Sequence, residues 1–343
     1  MIDLKSMLPE ELEAYLVSLG EPKFRAKQVF GWLGKGVRSF DEMRNVPQSL
    51  REKLAAGAYI DQLRLLKKQV SSVDGTTKYL WELLDGNAVE TVVMRYDYGS
   101  TVCISSQVGC RQGCAFCAST IGGLVRNLTP SEMLDEVLYS QLDLGENISN
   151  IVIMGIGEPL DNYDAVMKFL RLVNHPDGLN IGMRHISLST CGLTERIDDL
   201  AQEDLQITLA LSLHAPDDET RTKLMPANRG RGIETVIRSC ENYFHATGRR
   251  ITFEYAMINE VNDSPAQAEQ LAALARRVKA HINLIPLNHV EERQFCPSSP
   301  ERMKAFCKIL NDRGANYTIR RSLGGDVDAS CGQLRRKREL GQT

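Results

Sequence analysis

Apolar positions in the first sixty residues recur with helical spacing in three short blocks. "LPEELEAYLVSLG", "EPKFRAKQVFGWLGKG" and "PQSLREKLAAG" each open near a proline and close on a glycine. A helix start tolerates a missing N–H and a helix end favours a left-handed residue, so this punctuation predicts three short helices. They would form an all-helical accessory unit over residues 1–62, too small to be the catalytic body. Across residues 63–98 the period shortens. "SSVDGTTKYLWELLDGNAVETVVMRY" sets strand-like runs around the turn signals Asp74-Gly75 and Asp85-Gly86, which predicts an antiparallel extension. From 99 to 343 the runs "STVCISSQ", "NIVIMG", "RHISLST", "QITLALSLH", "RRITFEYAM", "HINLIPLNH" and "ANYTIR" alternate with helical patterns such as "SEMLDEVLYSQLDL" and "SPAQAEQLAALARRVKA". Repeated β–α alternation predicts an α/β fold on a parallel sheet, open or closed into a barrel, with its chemistry in the loops beyond the strand C-terminal ends.

Composition narrows the class only modestly. The 343 residues suffice for one large α/β unit with a small companion, and 43% hydrophobic with 25% charged residues is ordinary for a soluble globular chain. No apolar run approaches the roughly 18 residues of a membrane span. "MIDLKSMLPEELEAYL" lacks the basic and apolar regions of a signal peptide. The expectation is a cytoplasmic protein with no membrane partner. A net charge of -3 argues against a chain that grips nucleic acid by charge alone. Folding could still gather the clusters "KFRAK", "RLLKK", "ANRGRG", "TGRR", "TIRRS" and "LRRKR", each of which taken singly reads as solvated surface.

Nine cysteines in a cytosolic chain are not a disulfide framework. Cys191, Cys240, Cys296 and Cys307 stand apart and read as small buried hydrophobes or inert thiols. Cys110, Cys114 and Cys117 form a CxxxCxxC loop just after the first strand of the alternating region. Three thiolates so close repel one another and oxidise unless a metal neutralises them. Zinc usually takes four ligands from paired knuckles, and no second knuckle is visible. Three cysteines that leave one iron open suit a [4Fe–4S] cluster, with structural zinc as the competing reading. "MGIGEPLDN" supplies Gly155, Gly157 and Glu158 for a backbone-close turn after the second strand, a common feature by itself. Ser189, Ser212-Leu213-His214 and Asn288 end later strands. Each alone reads as a satisfied strand terminus, but several around one axis read as a ligand site.

The CxxxCxxC loop, with Phe116 before its third cysteine, resembles the radical S-adenosylmethionine (SAM) superfamily. That resemblance implies an incomplete (β/α)6 TIM-like barrel and a cluster whose open iron chelates SAM. A narrower resemblance, to the RlmN-type RNA adenine-C2 methyltransferases, runs in order through nearly the whole chain. It rests on "FRAKQVFGWL", "SSVDGTTKYLWEL", "ETVVMRY", "CISSQVGCRQGCAFCAST", "RNLTPSEMLDEV", "VIMGIGEPLDNYDAV", "RHISLSTCGL", "SLHAPDDETRTKLMP", "VNDS", "NLIPLN" and "GGDVDASCGQLRRK". It implies methylation of adenine C2 in the peptidyl-transferase centre of 23S rRNA and, in some members, of the adenine 3′ to the anticodon in certain tRNAs. It further implies an RNA-binding N-terminal domain and cofactor contacts from Gly157, Glu158, Ser189, Ser212, Leu213, His214 and Asn288. An electron donor such as flavodoxin or ferredoxin and a monomeric state complete the expectation. The sister Cfr-like enzymes, which methylate C8, share the cysteines but lack the proline of "GEPLDN", which favours C2.

Adenine C2 lies between two ring nitrogens and is too electron-poor to attack the SAM methyl group directly. The resemblance answers this by making Cys331 a methyl carrier, a form of covalent catalysis. Two SAM molecules serve each turnover. One methylates Cys331; the second yields the deoxyadenosyl radical that activates the S-methyl group for addition to C2. Cys103 then resolves the RNA tether through a transient disulfide with Cys331. Glu90 is marked as the proton acceptor, although an acid on a strand edge is otherwise expected to be solvated. Two readings from another class are a zinc-stabilised RNA-binding module without catalysis and a plain iron–sulfur electron carrier.

Overall fold

The computed structural model describes residues 1–288, 290, 292–321, 323–327, 335 and 341. Cys331 and most of the tail beyond it lie outside the described residues. Three helices, α1 (Pro9–Ser18), α2 (Phe24–Leu33) and α3 (Gln48–Gly57), form where the Pro and Gly punctuation places them. Their apolar faces close on Leu12, Leu16, Val29, Leu50 and Leu54 as a core of their own. The unit is not wholly helical. Two-residue strands β1 (Ile2–Asp3) and β2 (Ala58–Tyr59) pair in parallel and tie its two ends together. Strands so short leave no periodicity to read.

The rest of the chain builds one ten-stranded sheet. Strands β3 (Arg64–Val70), β4 (Thr77–Glu82) and β5 (Ala88–Tyr96) are antiparallel and add on to β6 (Gly99–Cys103). A side hairpin of β7 (Gln107–Gly109) and β8 (Leu124–Asn127) brackets the cysteine loop, so the predicted run "STVCISSQ" ends earlier than its apolar pattern suggests. Then α4 (Pro130–Leu144), β9 (Ile148–Ile153), α5 (Tyr163–Asn174), β10 (Ile186–Thr190), α6 (Thr194–Leu200) and β11 (Thr208–Ser212) alternate. They are followed by α7 (Asp218–Leu224), α8 (Ile233–Thr247), β12 (Ile251–Met257), α9 (Pro265–Arg277), β13 (His281–Pro286), α10 (Pro300–Asp312) and β14 (Tyr317–Ile319). The order is β14-β13-β12-β11-β10-β9-β6-β5-β4-β3, with every pair from β6 to β14 parallel.

This sheet curls. Neighbouring strands lie about 4.8 Å apart, so five steps across a flat sheet would separate the ends of β14 and β9 by roughly 24 Å. Arg320, just past β14, instead brings its Nη1 within 4.0 Å of the Met154 sulfur, just past β9. The outer faces carry the large core, including Phe253, Tyr255, Ile153 and Leu188, under the helices. The concave face opens at the strand C-terminal ends. It is the α/β fold expected from the alternation, in the incomplete-barrel form that the resemblance implied.

Candidate active site

The cysteine loop leaves β7 and is held by the chain on all sides. Ala115 N–H donates to Leu224 O at 2.8 Å, and Thr120 Oγ1 donates to the carbonyls of Cys114 and Cys117 at 3.1 and 3.0 Å. Arg293 Nη2 donates to Cys117 O at 3.1 Å. The backbone is thus fixed while the thiols line one wall of a cavity of about 290 Å³. Burial, and secondarily the charges of the neighbouring thiols, pushes Cys110 up to about 12 and raises Cys114 as well. Protons held so tightly yield to a thiophilic metal rather than to water. Among the described residues no three His, Cys, Asp or Glu side chains converge to hold one metal ion. Three thiols on one wall, with no paired second knuckle in the sequence, suit a [4Fe–4S] cluster that leaves one iron open better than one zinc.

Gly157, Glu158, Ser189, Ser212, His214 and Asn288 line the same cavity. At Gly157 φ is 112°, and a Cβ there would stand 2.7 Å from Gln107 Cβ and 2.8 Å from Gln107 N. Only glycine lets the turn after β9 approach the start of β7 so closely. Gln107 returns the contact by accepting from Glu158 N–H at 2.9 Å. The Glu158 carboxylate is buried and receives Cys191 N–H at 2.7 Å and Leu160 N–H at 3.1 Å. Burial raises its pKa while those donors oppose the rise. This is a fixed acceptor suited to an ammonium group. Ser189 and Ser212 share a hydrogen bond of 2.9 Å.

His214 takes a left-handed backbone (φ 54°), and its Nδ1 accepts Ala256 N–H at 3.0 Å. Burial, with the nearby Arg221 charge, lowers its pKa to about 3. The ring is therefore neutral with its proton on Nε2, a donor fixed edge-on against Phe116. Leu213 differs from its neighbours: its side chain is fully buried in the core, and it is not among the residues that line the cavity. Arg221, Arg293, Arg320 and Glu254 were missed in the sequence. Buried Arg221 donates to Cys191 O at 2.6 Å, Leu213 O at 3.2 Å and Asn228 Oδ1 at 2.6 Å, and so clamps the ends of β10 and β11 together. Its only signal was the stretch "SLHAPDDETRTKLMP" around it.

Cys103 is a buried thiol at the end of β6, in one apolar cluster with Val92, Met94 and Met154. Met154 also lines the cavity, so Cys103 sits one side chain behind its wall. Glu90 corrects the expectation of a solvated edge acid. It lies mid-strand, is 4% exposed, and pairs with the fully buried Lys78 Nζ at 2.9 Å. Its other oxygen accepts Arg335 N–H at 2.6 Å. On the near side of Cys331, Gly324 N–H donates to Asp74 at 2.8 Å, and Ser72 N–H donates to Asp326 at 2.9 Å. The antiparallel extension thus anchors the chain on both sides of Cys331, which itself lies outside the described residues.

Comparison with known proteins settles the family. Residues 104–272 match the model of the radical SAM superfamily, and residues 2–60 that of the ribosomal RNA large subunit methyltransferase N-terminal domain. The chain is 52% identical over 339 residues to a probable dual-specificity RNA methyltransferase RlmN of Desulforamulus reducens, covering 98% of this chain and 97% of that one. A protein of the same description from Alkaliphilus oremlandii is 52% identical, covering 98% of each. The chain belongs to the RlmN family of radical SAM RNA methyltransferases. A crystal structure of a radical SAM methyltransferase from Sphaerobacter thermophilus matches the RlmN-family fold here with a TM-score of 0.92 at 43% identity, over 97% of this chain and 99% of that one. RlmN-family membership implies the [4Fe–4S] cluster and SAM, which the donor set above fits. It also removes the non-catalytic readings and disfavours the Cfr-like one.

Proposed function

We propose that this enzyme methylates C2 of an adenine in the peptidyl-transferase centre of 23S rRNA, and the adenine 3′ to the anticodon in some tRNAs, with Cys331 as methyl carrier. The observation that supports this most is the convergence of Cys110, Cys114 and Cys117 with Gly157, Glu158, Ser189, Ser212, His214 and Asn288 on one cavity. When bound, the cluster and SAM supply a transferable methyl group and a hydrogen-abstracting carbon radical. The chain's own residues do the rest. Cys110, Cys114 and Cys117 hold iron. Glu158 accepts the cofactor's amino group, while Ser189, Ser212, the Leu213 backbone, the His214 Nε2–H and Asn288 orient its remainder. Glu90 takes the ring proton. Cys103, as thiolate, attacks the sulfur of the Cys331–CH2–RNA link: an S–S bond forms, the C–S bond breaks, and the released carbon takes a proton.

Duplex RNA keeps adenine C2 in its minor groove, so the target is read as looped or unstacked, before ribosome assembly is complete. The N-terminal unit is assigned RNA binding, a flavodoxin or ferredoxin the supply of electrons, and the enzyme is read as a cytoplasmic monomer. The test is to incubate the anaerobically reconstituted enzyme with a 23S rRNA fragment or with tRNA, SAM and reductant, then digest the RNA. 2-Methyladenosine in both substrates supports the reading. 8-Methyladenosine, or no modified base despite an intact cluster, overturns it.

A further inference from the structure

The concave face holds one acid that neither the cofactor reading nor the cysteine chemistry uses. On β12, Phe253 and Tyr255 point outward into the core, while Glu254 and Ala256 point into the cavity. Glu254 is 3% exposed. Its Oε1 accepts Asn283 Nδ2 at 2.7 Å, and the Asn283 amide is oriented in turn by Thr318 Oγ1, which donates to Asn283 Oδ1 at 2.9 Å. Its Oε2 is buried with no hydrogen-bond partner among the described residues. A chain of three side chains thus spends one oxygen on structure and leaves the other alone in the cavity. Burial raises the carboxyl pKa, while the Arg320 charge and the Asn283 hydrogen bond draw it back. A buried acceptor left unmade is costly, so the fold carries this one for an N–H or O–H donor brought by a ligand.

Resting on the C2-methylation reading above, we propose that Glu254 Oε2 accepts the exocyclic amine of the target adenine and so selects adenine over bases with an oxygen at that position. The strand order supports this occupant. Cys103, behind the wall at the end of β6, and Glu254 on β12 are separated by β9, β10 and β11, and the sheet curls, so the two lie on different sides of the cavity. On an adenine ring the C2 and amine directions diverge. A base presenting C2 to the cysteine chemistry therefore projects its amine towards another wall. Glu254 also lies mid-strand, below the strand-end loops that carry Gly157, Glu158 and Asn288. A guanine or hypoxanthine would bring its O6 lone pairs against a carboxylate oxygen, which is repulsive.

The design of Glu254→Gln follows from the Asn283 orientation. Asn283 can only donate here, so the glutamine must turn its carbonyl to Asn283 and its NH2 to the cavity. The acceptor becomes a donor at nearly constant volume. Full-length, cluster-loaded wild type and Glu254→Gln are compared on rRNA fragments carrying adenosine, purine riboside (no amine) or inosine (O6) at the target position. Single-turnover methyl transfer is read for the first two and equilibrium binding for all three; SAM affinity is measured separately. The expectation is a loss of roughly 10- to 100-fold for wild type on purine riboside relative to adenosine, the range for one buried hydrogen bond to a charged group. The variant should show the same loss on adenosine, no further loss on purine riboside, and a relative gain in inosine binding. Wild type that transfers equally to purine riboside overturns the proposal without reference to any variant. A variant whose SAM affinity falls while its base preference is unchanged assigns the oxygen to the cofactor's own adenosine and overturns it too. Absence of 2-methyladenosine from wild type would instead remove the underlying reading.

Discussion

Single residues show where this chain accepts a local cost for its site. At Gly157 any side chain meets the backbone at the start of β7. Gly157→Ala should therefore cost about 2–4 kcal/mol by denaturant unfolding, from strained φ and overpacking together, and should abolish SAM binding in equilibrium dialysis. An unchanged denaturation midpoint would mean that the turn can retreat. The Lys78–Glu90 pair is a second such place. Lys78→Met leaves a carboxylate buried without its cation and should cost about 3–5 kcal/mol, whereas Lys78→Met with Glu90→Leu should recover most of it. A single variant that costs under about 1 kcal/mol would show that Glu90 is not held as a buried charge. The cysteine loop and the Gly157-Glu158 turn were legible because their spacing is itself chemical. The burial of Glu90, which the resemblance had marked, and the whole role of Glu254 were not, for one reason: "AVETVVMRY" and "RRITFEYAM" read as apolar strands with a stray acid. Only closure of the sheet shows that the stray position faces an interior.

At the scale of elements, α4 joins the two halves of the molecule. Thr129 caps it, its Oγ1 accepting Glu132 N–H at 3.2 Å while Glu132 returns to Thr129 N–H at 2.9 Å. Glu136 on its inner face accepts Ser105 N–H at 3.0 Å and Thr91 Oγ1 at 2.6 Å, tying the helix to the strand that ends in Cys103. Its outer face meets the N-terminal unit through Lys5, whose Nζ reaches Asp135 at 2.6 Å with both side chains fully buried, and through Ser131, which donates to Asp61 at 2.9 Å. Burial first, and then the Glu132 charge, lifts Asp61 to about 6. An acid whose folded pKa lies above its unfolded value favours folding while protonated, and that contribution is lost as pH rises from about 4 through about 6. Stability of the wild type minus that of Asp61→Asn should thus fall by roughly 3 kcal/mol between pH 4 and pH 7. A difference that stays flat across that window in urea titrations would sink the assignment. The alternation of strands and helices was legible because amphipathic helices and buried parallel strands have distinct periods. The pairing of β1 with β2 and the β7–β8 hairpin were not, since two to four residues carry no period.

At the scale of the whole molecule, the net charge of -3 and an RNA substrate are reconciled by how the basic clusters are spent. Lys23 pairs with Glu13, Lys27 with Asp177, Arg64 with Glu82, Lys68 with Asp143 and Arg231 with Glu195. Every cation in these pairs keeps about a third or more of its side chain exposed, and surface pairs are worth little, so a phosphate can take the cation at small cost. The antiparallel extension has the other global role. The sequence predicts no more than an antiparallel extension, yet its β3–β4 turn and Glu90 anchor the polypeptide before and after Cys331. Sequence could not show this, because Asp74 and Asp326 stand 252 positions apart and each looks like an ordinary turn acid. If that anchoring delivers Cys331 to the cavity, weakening it should slow methyl transfer and leave the cluster intact. Asp74→Ala with Asp326→Ala removes two solvent-facing anchors. The expected outcome is a roughly 5- to 20-fold faster cleavage of the C-terminal segment in limited proteolysis. Methylation of Cys331, read by mass spectrometry of the protein, should fall in step, with the iron–sulfur absorbance unchanged. Equal protease sensitivity of the two proteins would show that the β3–β4 turn does not hold the tail, and leave Glu90 and Arg335 as its anchor.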